Sequence, residues 1–157
     1  MGKLVRDKIP EIIRRHNNRE PVTRTLDASE YYLELKRKVA EELAEFQADD
    51  NFEELADNLE IIFAVADYHL LDRTQIQKTA EQESLDSPMS RDQLYTDLAN
   101  LIGSYLLTEN ANLIFDIVCC IYEIARFKQI TPEQLEEIRL HKFDERGGFV
   151  ERVYLES

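Results

Sequence analysis

Apolar residues recur at helical spacing along most of this chain. Asp27 and Glu30 form a capping-box pattern that predicts a long helix to about Ala48, with Leu35, Val39, Leu43 and Phe46 as its stripe. Asn51 predicts the cap of a second helix, from about Phe52 to Leu71. That segment is apolar on two sides: Leu55, Leu59, Ile62, Ala66 and Leu70 make one stripe, and Ile61, Val65 and Tyr68 another. A helix apolar nearly all round is buried in a bundle. A short helix over Arg73–Glu83 and a linker over Ser84–Ser90 follow. Thr131-Pro132-Glu133-Gln134 opens a last helix that runs to about Arg146 and stops at Gly147-Gly148. At the ends, Lys3–Ile9 reads as an extended arm, with a small helix after Pro10 to about His16. Phe149–Leu155 reads as a short strand with that arm as its partner.

A shift of 59 positions superimposes the pattern on itself. Leu35 pairs with Leu94, Val39 with Leu98, Phe46 with Tyr105, Asn51 with Asn110, Asp57 with Asp116 and Ala66 with Ala125. The expected fold is all-α: a four-helix bundle built from a duplicated helix pair, with short extended arms at both ends. Unrelated amphipathic helices are the alternative. One domain spans 1–157, with an acid-bearing half over 27–82 and a worn half over 84–146.

The acids distinguish the halves. Glu42 with Glu45, and Glu54 with Asp57, are three residues apart and share a helix face. A turn at Asp49-Asp50-Asn51 would fold the two helices back and bring the pairs together. Four converging carboxylates suit a hard divalent cation, Mg²⁺ or Mn²⁺. Two local alternatives stand beside this one: Lys38 could pair with Glu42, and Glu54 could be a capping-box residue for Asn51. In the second half Glu41, Glu42, Glu45 and Glu54 become Asn100, Leu101, Ser104 and Leu113, and only Asp116 remains. No histidine follows a candidate glutamate by three residues, so the Glu-x-x-His pattern of di-iron bundles is missing.

Composition narrows the function further. The net charge of −13 disfavours a nucleic-acid polymer as partner. No apolar run approaches the roughly 20 residues of a membrane span. Cys119-Cys120, adjacent within an apolar run, are expected to be reduced core residues of a cytoplasmic protein. Lys3, Arg6, Lys8, Arg14 and Arg15 concentrate positive charge at the N-terminus, either as a solvated arm or as a phosphate-facing strap.

Glu41-Glu42-x-x-Glu45 followed by Glu54-x-x-Asp57 resembles the signature of the all-α, MazG-like nucleoside triphosphate pyrophosphohydrolases. Lys38 ahead of the Glu pair is similar to the related phosphoribosyl-ATP pyrophosphohydrolases. The arm KLVRDKIPEII and the late Arg146-Gly147-Gly148-Phe149 resemble the ends of a compact MazG-like subgroup. The resemblance implies Mg²⁺-dependent hydrolysis of a nucleotide between the α- and β-phosphates, giving a monophosphate and pyrophosphate. It implies Glu42, Glu45, Glu54 and Asp57 as metal ligands and Glu41 as the acid that orients or deprotonates water. Lys3, Arg6, Lys8, Lys38 and Arg146 would contact phosphate. The chain would be a monomer with a pseudo-dimeric core, or a homodimer. A non-catalytic helical module that binds nucleotide or a partner helix is the competing class.

Overall fold

The computed structural model describes residues 2–83 and 89–156, so most of the linker expected over Ser84–Ser90 lies outside the described residues. The fold is predominantly helical, as the pattern predicts. Along the chain the elements are β1 (Lys3–Leu4), α1 (Ile9–Asn17), β2 (Thr23–Thr25), α2 (Ala28–Asp49), α3 (Phe52–Tyr68), α4 (Arg73–Gln82), α5 (Arg91–Thr108), α6 (Leu113–Phe127), α7 (Pro132–Arg146) and β3 (Val153–Leu155).

The long helices start where their caps dictate. Asp27 accepts from the Glu30 N–H at 2.8 Å, and the Glu30 carboxylate accepts in return from the Asp27 N–H at 3.4 Å. Asn51 accepts from the Glu54 N–H at 2.8 Å, while the Glu54 side chain makes no reciprocal bond to the cap. α2 ends because Asp50 turns left-handed (φ 46°), which folds α3 back against it. The Asp50 side chain is gripped by Arg91, Tyr95 and Lys128, at 2.7, 2.5 and 3.0 Å. Burial opposes its charge, but those hydrogen bonds outweigh it and hold the carboxyl down to about 2. α3 is buried on almost every side from Leu55 to Ala66. It ends at Tyr68 rather than Leu71 because Leu70 turns left-handed (φ 60°), leaving that residue 92% exposed.

Backbone features return at the 59-residue shift. Asp50 and Glu109 both stop their helices in the left-handed region, each bonding four residues back, to Phe46 and Tyr105, at 2.7 Å. Leu70 and Gln129 are left-handed just after α3 and α6, with φ of 60° and 70°, each bonding three residues back, to Asp67 and Arg126. Asp72 and Thr131 then cap α4 and α7 by accepting from Gln75 and Gln134. The correspondence therefore reaches a third helix. Packing crosses over: α4 lies on α6, whereas α7 lies on α3. One expected match is absent. Asn110 does not cap α6; its side chain accepts from the Asn112 N–H at 3.0 Å, a local turn that competes with capping and delays the helix to Leu113.

The two chain ends close on each other. β3 lies between β1 and β2, antiparallel to both, pairing Lys3 with Leu155 and Thr25 with Val153. The partnership of β1 and β3 was expected; the third strand was not, since Thr23-Arg24-Thr25 is exposed and carries no apolar alternation. Beyond the sheet, the Asp7 and Lys8 N–H groups each donate at 2.8 Å, to Gly148 and Arg146. Gly147 makes this close approach possible. It sits at φ 78°, and a Cβ there would lie 3.3 Å from the Lys8 nitrogen.

Glu60 of α3, only 3% exposed, accepts from Arg139 Nη1 of α7 at 2.7 Å. Arg139→Met strands a buried carboxylate and should cost about 3 kcal/mol. Urea denaturation checks this; an unchanged midpoint would show that the pair does not hold α7 in place.

Candidate metal centre

The α2–α3 turn converts spacing into a site. Glu42 and Glu45 face the partner helix from α2, and Glu54 and Asp57 face back from α3. Carboxylate oxygens of Glu42, Glu54 and Asp57 all lie within 4.8 Å of one another. Glu42 is only 7% exposed. Among the described residues, Glu42 Oε2 and Glu54 Oε2 are buried without a hydrogen-bond donor, and the buried Asp57 Oδ1 has only the Lys142 ammonium, 2.8 Å away, and Arg6 near it. Buried acceptors without donors are costly, so the open lone pairs of Glu42 and Glu54, beside the Asp57 carboxylate, suit a hard cation. Asn58 sets the two helices at this level: its amide nitrogen donates to the backbone carbonyls of Glu42 and Glu54, both at 2.9 Å.

The other predicted residues take different places. Glu45 lies outside the trio but lines the same cleft, near enough for its charge to raise both Glu42 and Glu54. Glu54 donates only its backbone N–H to the Asn51 cap, and its carboxylate turns to the acids. Lys38 stands 3.5 Å from Glu42 Oε1 and 3.3 Å from Glu41 Oε1, so the expected Lys38–Glu42 pair exists beside the cluster. Glu41 faces this lysine rather than the trio. Arg6 Nη1 is 3.6 Å from Asp57 Oδ1. Lys3 and Arg146 line the same cleft. Lys8 is not among the lining residues; its ammonium donates to the Asp144 carbonyl at 2.7 Å, near the end of α7.

The cleft has a volume of about 890 Å³. The acids and their cations form one side, while Val5, Ile9, Ile138 and Leu155 supply apolar surface. Burial pushes the Glu42 carboxyl up to about 7; Lys38 opposes the shift, while Asp57 and Glu45 add to it. Glu54 is raised by burial and then by Asp57 and Glu45, against Lys142. Burial also lowers the Arg6 guanidinium, although Glu60 and Asp57 favour its charge.

Two participants escaped the sequence analysis. Lys142 of α7 brings its ammonium to 2.8 Å from the Asp57 carboxylate. Asn58 bridges the two backbones. A signal for the first existed: Arg139, Lys142 and Arg146 are spaced three and four apart, a basic face on α7 in an acidic chain.

The chain is similar to an uncharacterized protein of Mycolicibacterium smegmatis, with 52% identity over 50 residues, or 32% of this chain. The chain spans about half the length (50%) of that relative. No protein-family profile matches it. No solved structure matches it either.

The raised Glu42 gives a sign for pH dependence. Its folded value exceeds that of an unfolded glutamate, so this group favours the folded state at low pH, and that contribution is lost as pH rises through about 7. A bound cation needs the ionised form and reverses the loss. The rise in Tm produced by millimolar Mg²⁺ should therefore be larger at pH 8 than at pH 6, as differential scanning fluorimetry would read. A rise independent of pH would contradict the assignment of Glu42.

Proposed function

We propose that this chain is a nucleotide pyrophosphohydrolase that cleaves a nucleoside triphosphate, or a similar nucleotide, between its α- and β-phosphates. The observation that carries the proposal is the convergence of three carboxylates from facing helices in a cleft also lined by lysine and arginine. The donor set is all carboxylate oxygen, which suits Mg²⁺ or Mn²⁺. Glu42, Glu54 and Asp57, with Glu45 beside them, would hold the ion. When bound, the metal supplies charge neutralisation at phosphate oxygens and acidifies water.

The remaining work falls to the chain. Glu41, held 3.3 Å from Lys38, orients the attacking water and takes its proton on a carboxylate oxygen. Lys3, Lys38, Arg6 and Arg146 receive the negative charge of the phosphates. The apolar surface of Val5, Ile9, Ile138 and Leu155 gives the nucleoside a dry side on which to rest.

The second half belongs to the same proposal. The repeated left-handed stops, the matched caps of α4 and α7, and their crossed packing support a duplicated, pseudo-dimeric bundle. In that bundle α2–α3 carries the chemistry and α5–α6 completes the core. A single chain then supplies a whole site.

Incubating the protein with a panel of nucleoside triphosphates and Mg²⁺ should release pyrophosphate and the monophosphate, and chelation should stop it. Glu42→Gln and Asp57→Asn should each reduce turnover by at least about 100-fold with the helical circular dichroism unchanged. Nucleotide binding without turnover across the panel would favour the non-catalytic module instead.

A further inference from the structure

Asp57 stands between two cations that are held in different ways. Arg6 is fixed: its Nε donates to the Gly147 carbonyl at 2.8 Å, and it lies 3.7 Å from Glu60 and over the ring of Phe149. It is only 8% exposed. Lys142 reaches Asp57 from α7 on a flexible stem, and its one other hydrogen bond among the described residues is a long one, 3.4 Å to the Glu53 carbonyl. Its ammonium donates to Asp57 Oδ2 at 2.8 Å. It stands equally near Oδ1, at 2.8 Å, so it straddles the carboxylate that joins the acidic trio. A lysine ammonium is a compact point charge with rotatable donors, whereas a guanidinium pinned on three sides is not free to turn.

We infer that Lys142 is a built-in counter-ion, one that neutralises Asp57 until a divalent cation takes the carboxylate. It then turns into the cleft toward the anionic group of the ligand. The inference rests on the cation site proposed above and adds a competition within it. Metal and ammonium both need Asp57, and only the ammonium can leave while remaining part of the protein. Arg6 stays in place throughout, so the cleft keeps one fixed positive charge and gains one movable one. Coupling of this kind makes the cleft most receptive to an anion only after the cation has arrived.

Isothermal titration of the chain with Mg²⁺ tests this directly. Lys142→Met removes the competing charge and should bind Mg²⁺ roughly tenfold more tightly than the unmodified protein. Lys142→Gln, which keeps a polar end on the stem, should move in the same direction; if one variant loses its helical circular dichroism, the other decides. Unchanged or weaker Mg²⁺ binding overturns the inference, because a merely structural lysine would weaken the site when removed. The nucleotide assay is a separate readout, in which both variants should raise KM. Tighter Mg²⁺ binding with no nucleotide turnover in any protein would end the pyrophosphohydrolase proposal and leave the counter-ion standing.

Discussion

The close approach of three carboxylates, one of them buried, is the constraint that the surrounding structure answers. Burial, with Asp57 and Glu45 adding to it, pushes the Glu42 carboxyl up to about 7, so three carboxylates this close call for compensating charge. The protein supplies partial compensation from three directions: Lys38 from α2 itself, Arg6 from the N-terminal arm and Lys142 from α7. Each of those elements must be held in position for the balance to work. Much of the remaining structure does that holding.

The Arg6 position illustrates the point. It depends on Gly147, whose backbone conformation lets the arm and the end of α7 approach closely. The sheet fixes the same two segments further out, with β3 bonded to β1 and β2. The Glu60–Arg139 pair fastens α7 to α3 at 2.7 Å, one turn from Lys142. Asn58 fixes the spacing of α2 and α3 where the acids emerge. Two chain termini, a glycine and two buried polar contacts thus converge on one electrostatic problem.

The sequence revealed the elements better than their alliances. Helices α2, α3 and α7 could be placed by their caps, because Asp27, Asn51 and Thr131 act through neighbours three residues away. The facing of Glu42 and Asp57 was legible from helical spacing and one turn. Lys142 was not, since its partner lies 85 positions away and only the packing of α7 on α3 brings them together. β2 was hidden for a similar reason: its three exposed residues pair through backbone groups that carry no sequence signal. Asn110 misled because asparagine serves equally as a helix cap or as a local turn, and the two differ by a single hydrogen bond.

The central claim is that the α2–α3 acids form a cation site, and locating a cation tests it most directly. Crystals grown or soaked with Mn²⁺ should show an anomalous peak bounded by Glu42, Glu54 and Asp57, with the Lys142 ammonium withdrawn from Asp57. A map without that peak, with Lys142 still seated on Asp57, would contradict the account and leave the cluster as a balanced set of internal ion pairs.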